Sequence, residues 1–178
     1  MVRFTRDVPD MDRWSQSIGG LIINFGCLEF QTLRWIHLLG GEAESIKARG
    51  ATLSRRIDLS LALLCKSNIQ KEEMQRAQDL WAEVKGLSQF RNQIAHNPLA
   101  LGRDLQTDEM VFSIVDLKKM TPTGQNELAP LSYIEIGQSA LRAGEINREL
   151  SKILDSDEFS QSYQAAVVPV SKSGSGSR

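Results

Sequence analysis

Apolar residues recur at helical spacing from the first turns of the chain. Over residues 12–39, Trp14, Ile18, Leu21, Ile22, Phe25, Leu28, Leu33, Ile36 and Leu39 follow mostly three- and four-residue steps, which predicts one long helix with an inward stripe. Gly40-Gly41 is the expected stop, because glycine takes the left-handed conformation that helix C-termini favour and weakens a helix interior. A second helical region is expected over 42–65, interrupted near Gly50, with Leu53, Ile57, Leu61 and Leu64 inward and Ser67-Asn68 as its break. The third pattern is the strongest. Over 70–95, Met74, Ala77, Leu80, Trp81, Val84, Leu87, Arg91 and Ile94 form one stripe, and Pro98, which lacks an amide hydrogen, forbids continuation.

After Pro98 the pattern changes. Residues 109–117 are rich in β-branched and apolar side chains and are expected to pair with 99–105 as a small hairpin. Residues 118–130 collect Thr, Pro, Gly and Asn and read as a loop. Ser132 and Glu135 have capping-box spacing, and Ile136, Leu141, Ile146, Leu150, Ile153 and Leu154 then predict a closing helix ending near Leu154. The expected fold is therefore mainly α: an antiparallel bundle of four to five helices with a small β-hairpin insertion after the third. It forms a single helical domain over 1–154. Residues 155–178 end in Ser-Lys-Ser-Gly-Ser-Gly-Ser-Arg, lack core-forming side chains and are expected to be a flexible tail, native or appended.

Composition narrows the functional classes. The chain has 178 residues, 41% of them hydrophobic, which is enough for one packed core. Lys and Arg number 21 against 22 Asp and Glu, so no global positive field attracts nucleic acid, and any phosphate-binding surface must be local. Cys27 and Cys65 stand singly in apolar surroundings, without the paired spacing of a zinc or redox motif, and are expected to be reduced core residues. No stretch approaches the roughly 18 apolar residues of a membrane span, and the N-terminus lacks the apolar run of a signal. A cytoplasmic protein that needs no metal or other cofactor and makes no membrane contact is the expectation.

The candidate chemistry sits in Arg91-Asn92-Gln93-Ile94-Ala95-His96-Asn97-Pro98, at the end of the third helix. Histidine exchanges protons near neutral pH and can serve a ribose 2′-hydroxyl or a leaving 5′-oxygen, while arginine is a permanent planar cation suited to a phosphate gaining negative charge. Five residues on an ideal helix give about 140° of rotation and about 7.5 Å of rise, so Arg91 and His96 do not share a face. Either Arg91 reaches round, or the helix loosens before His96, or the pairing forms between two subunits across a two-fold axis. Asn92, four residues before His96, does share its face and either orients the imidazole, bonds a phosphate or simply faces solvent.

The first helix adds a carboxylate. Glu29 follows Phe25 by four residues and precedes Leu33 by four, so it stands on or beside the apolar stripe, where an unpaired ion is costly. Arg91 lies on the inward stripe of the third helix, and the two are expected to meet; the plainer reading is a Glu29 that snorkels to water. Gly26, one turn away, permits a close helix approach.

Arg91-Asn92 followed by His96 resembles the R-x4-6-H motif of HEPN domains, helical bundles found in toxin–antitoxin, abortive-infection and CRISPR-associated systems. The resemblance implies metal-independent RNA cleavage at a dimer interface, with Arg91 and His96 catalytic and an acidic residue, here Glu29, facing the motif. It implies RNA as partner, a homodimer through the motif-bearing helix, and an antitoxin or defence-system protein as a second partner. The chain departs from some toxin members, which carry a tyrosine four residues after the histidine; Ala100 stands there, which puts regulation by nucleotide transfer at that position in doubt.

Lys47, Arg49, Arg55 and Arg56 form the one local basic cluster, which either holds RNA phosphates or is a solvated helix face. His37 fits a cation near a helix C-terminus, and Trp14, Trp35 and Trp81 fit the core rather than base stacking. Two further readings of the motif stay open. One is a non-catalytic module binding a nucleotide or protein, and the other is a helix-end cap network in a structural protein.

Overall fold

The computed structural model describes residues 11–67, 69–97, 99–103, 110–114 and 129–156. Four helices pack together and make the protein mainly α: α1 Met11–Ala48, α2 Leu53–Leu64, α3 Lys71–His96 and α4 Tyr133–Leu154. Gly40-Gly41 kinks α1 rather than ending it. Gly41 alone leaves helical geometry, at φ 82° and ψ 178°, a conformation only glycine adopts cheaply, and the helix resumes to Ala48. The break near Gly50 separates this continuation from α2, whose cap Thr52 accepts a hydrogen bond from the Arg55 amide at 3.4 Å. At α4 the Ser132 hydroxyl accepts from the Ile134 amide at 3.1 Å, the second helical position rather than the third.

Between α3 and α4 the backbone forms an antiparallel sheet in the order β1-β2-β3, with β1 Leu99–Arg103, β2 Met110–Ile114 and β3 Ala129–Leu131. Leu99 pairs with Ile114, Arg103 with Met110, and Phe112 with Leu131. Ala129 and Pro130, expected in a loop, lie in β3, an edge strand, where proline's missing amide is tolerated. The rest of the expected loop and nearly all of the expected tail lie outside the described residues.

The described residues group into two compact units. The first takes α1 up to Phe30, α3 from Leu80, the sheet, and α4 up to Arg148. Its core is Trp14, Leu21, Phe25 and Leu28 from α1, Leu80, Trp81, Val84 and Ile94 from α3, and Ile136, Ala140, Ala143 and Ile146 from α4, all buried. A seam of small residues joins α1 to α4. A Cβ at Gly20 would lie 3.7 Å from Ala140, one at Gly137 3.4 Å from Ser17, and one at Gly144 3.4 Å from Asn24, while the Asn24 amide donates to the Ala140 carbonyl at 2.8 Å. Trp14 packs edge-on to Tyr133 at 5.9 Å. Residue numbers climb together along both helices, so α1 and α4 run parallel here. This corrects the expectation of a wholly antiparallel bundle: the small side chains let two parallel helices approach closely, and packing decides the pairing.

The second unit takes the remainder of α1, α2, α3 up to Asp79 and the end of α4. Trp35, Ile36, Ala48, Ile57, Leu64, Ala77, Leu150, Ile153 and Leu154 are its buried apolar residues among those described. Gln31, Thr32, Ser45, Arg56 and Ser60 are buried beside them. The Ser60 hydroxyl donates to the Arg56 carbonyl at 2.9 Å, Gln31 bonds Ser151, and Arg34 pairs with Asp155 at 2.5 Å.

Three expectations of burial are corrected. Cys27 and Cys65 are exposed free thiols, not core residues, because each falls on the outer side of its helix or at its end. Leu141 is 71% exposed because the inward face of α4 runs through Ile136, Ala140, Ala143 and Ile146 instead. Ile22 is exposed as well, one position off the buried line of Leu21, Phe25 and Leu28. The three tryptophans are core residues, as expected.

Candidate functional site

The helix that carries the motif stays regular to its end. The Asn97 amide bonds the Gln93 carbonyl at 3.2 Å, continuing the α-helical ladder past His96, and the Asn97 side chain donates to the same carbonyl at 3.0 Å. No loosening before His96 brings it toward Arg91. Asn97 thus engages the Gln93 carbonyl twice, with its amide and its side chain.

Arg91 points inward, off the face of His96. Its Nη2 donates to Glu29 Oε1 at 2.8 Å, and its Nη1 donates to Asn92 Oδ1 at 2.9 Å. The guanidinium carbon stands 5.9 Å from the centre of the Phe25 ring, which is itself buried. The side chains of Arg91 and Glu29 keep 22% and 32% of their exposure, so the pair is half-buried and screened less than a surface pair. The meeting of Glu29 and Arg91 expected from helical arithmetic is therefore present. The Nε atom of Arg91 is buried and makes no hydrogen bond among the described residues.

Asn92 is exposed and supports Arg91 rather than the imidazole: its carbonyl oxygen faces the guanidinium. His96, the last residue of α3, is exposed and makes no hydrogen bond to Arg91 among the described residues. A planar cation, clamped on part of its fork, thus sits one helical turn and a rotation away from a solvent-facing imidazole. A pre-positioned cation and an exposed imidazole are the two kinds of group that phosphate chemistry uses. Gly26 is exposed, and a Cβ there would meet nothing within 4 Å, so it mediates no close helix approach among the described residues.

Two contributors escape a reading by motif. Phe25 underlies the guanidinium, and its place one turn before Glu29 on the inward stripe was the signal for it. Asn97 finishes the helix; its signal was an amide side chain directly before proline.

The basic cluster belongs to the second unit. Lys47 is exposed and paired with Glu44 at 2.8 Å, Arg49 and Arg55 are exposed, and Arg56 is 8% exposed and so almost fully enclosed. His37 is exposed one turn before the Gly41 kink. Among the described residues no group of three or more His, Cys, Asp or Glu side chains is placed to hold a metal ion, and no helix is long and apolar enough to cross a membrane.

No family model, curated protein or solved structure matches this chain. The resemblance to HEPN domains rests on the motif and its setting.

Proposed function

We propose that the protein is a metal-independent endoribonuclease of the HEPN type, in a HEPN-like helical bundle, acting in the cytoplasm as a toxin or anti-phage defence effector. One observation carries this reading: Arg91 is held by Glu29 and Asn92 at the end of the helix whose last residue is an exposed His96. His96 takes the proton of a ribose 2′-hydroxyl as that oxygen attacks the adjacent phosphorus, or returns a proton to the departing 5′-oxygen. Arg91 stabilises the pentacoordinate phosphate through the second hydrogens of Nη1 and Nη2, which works best where the cation is already fixed in place. Glu29 and Asn92 position Arg91. The products are a 2′,3′-cyclic phosphate and a 5′-hydroxyl end.

Since Arg91 turns away from His96 within one chain, the reading favours a homodimer through the motif-bearing helix, in which one copy's His96 serves a phosphate beside the other's Arg91. RNA is the substrate, Arg49 and Arg55 are candidate contacts to its backbone, and an antitoxin or defence-system protein is a further partner.

The ion pair itself favours one alternative. Glu29 neutralises Arg91 in a chain of net charge -1, a modest attraction for a polyanion and suited to a non-catalytic module that binds a nucleotide or a protein. Incubating the full chain with labelled single-stranded RNA in chelator, followed by end-group analysis, separates the two. Cyclic-phosphate ends that accumulate with time support the nuclease, and a saturable bound nucleotide with intact RNA supports the module.

A further inference from the structure

We propose that the outward face of α1 in the first unit docks a second copy of this chain, the two α1 helices packing antiparallel about a two-fold axis. Ile23 and Phe30 are 68% and 67% exposed there, and Ile22 and Cys27 beside them are exposed too. A core-facing helix ordinarily turns polar residues to water. This one instead carries no Asp, Glu, Lys or Arg between Arg13 and Glu29, the charge depletion typical of an interface centre.

The order of residues on this face is self-complementary. At about 100° per residue, Gly19, Ile23, Gly26 and Phe30 fall within about 60° of one another. A Cβ added at Gly19 or Gly26 would meet nothing within 4 Å, so both are open notches between the projecting Ile23 and Phe30. A two-fold axis through the middle of the face, level with Asn24 and Phe25, sets Ile23 over the partner's Gly26, Phe30 over the partner's Gly19 and Ile22 beside the partner's Cys27. Each projection then meets a notch. Sliding the helices by one turn stacks Ile23 on the partner's Phe30 instead, so the pattern selects one register. A surface that fits itself under a two-fold is the requirement for an isologous dimer, which is why the occupant is a second copy.

Glu29 lies about 90° round α1 from this axis, so the seam flanks the Glu29–Arg91 pair without covering it. It is distinct from a two-fold that joins motif ends, and it does not depend on RNA cleavage.

Light scattering on the full chain over a concentration series tests it. The expected result is an oligomer for the natural sequence and half its mass for Ile23→Glu and for Phe30→Glu, a halving that a separate motif-end dimer leaves readable, with unchanged far-ultraviolet circular dichroism. Gly19→Leu should also halve the mass by filling a notch, although leucine is the better helix former and keeps α1 folded. Under mild oxidation, Gly26→Cys in a Cys27→Ser, Cys65→Ser background should give a disulfide-linked dimer, and Gln138→Cys on α4 in the same background should not. A natural chain that stays monomeric at about 100 µM, or an oligomer mass that none of the three substitutions lowers, overturns the seam. Cross-linking at Gly26 no stronger than at Gln138 overturns it as well. RNA cleavage lost or kept leaves this result unchanged, so the two proposals fail separately.

Discussion

Two arginines of the first unit bridge helices through carboxylates, and they do so differently. Arg142 on α4 grips Glu83 on α3 with Nε to Oε1 at 2.7 Å and Nη2 to Oε2 at 2.8 Å, and its Nη1 reaches Glu145 at 3.1 Å. All three of its nitrogens are occupied, yet the pair stays 37% and 40% exposed. Arg91 is more enclosed and less saturated: one bond to Glu29, one to Asn92, an aromatic ring alongside, and a buried Nε with no hydrogen bond among the described residues. Arg142 braces the fold with each of its three nitrogens bonded to a carboxylate. Arg91 is fixed in place by two hydrogen bonds from different nitrogens, and under the proposed nuclease reading a cation positioned beforehand is what a developing phosphate charge requires.

That contrast can be broken most directly by removing each arginine. Arg91→Ala should lower RNA cleavage at least about 100-fold, whereas Arg142→Ala should leave the rate within about two-fold and cost only about 0.2–1 kcal/mol of stability, as exposed pairs do. Equal losses in a cleavage assay would erase the distinction. Arg91→Lys keeps the charge but not the planar fork, and a drop of about 10-fold or more in kcat at nearly constant melting temperature is expected. Glu29→Gln should act more gently. It leaves Arg91 in place with a weaker anchor, so cleavage should fall by less than in Arg91→Ala. The melting temperature should drop by about 2–4 °C for each kcal/mol lost, and thermal unfolding by circular dichroism measures this. Asn92→Ala removes a single exposed hydrogen bond. An effect of a few-fold on cleavage and under about 1 kcal/mol on stability is expected, and a complete loss of activity would show that Asn92 acts on substrate.

The long helices were readable because their apolar spacing is a local property of the chain, and Leu21, Phe25, Trp81 and Ile146 are buried as that spacing required. Gly40-Gly41 shows the limit. One residue with φ 82° kinks a helix as easily as it ends one, and only the packing beyond it decides which. The parallel run of α1 beside α4 was not legible, since it depends on small residues more than a hundred positions apart meeting along one seam. The enclosure of Arg56 went unseen for a related reason: neighbouring charges suggest a solvated face, whereas burial is set by distant elements. In the site, Glu29 and Arg91 could be joined beforehand because each lies on an inward stripe. The turn of Asn92 toward Arg91 could not, because an amide one position away has two choices of rotamer and both agree with helical geometry.

The central claim is that the end of α3 cuts RNA, and a time course of single-stranded RNA cleavage in chelator by the natural chain and by His96→Ala tests it most directly. The account predicts cyclic-phosphate products from the natural chain and none from a His96→Ala protein of unchanged melting temperature. Undiminished cutting by His96→Ala, or no cutting by either protein, would contradict it.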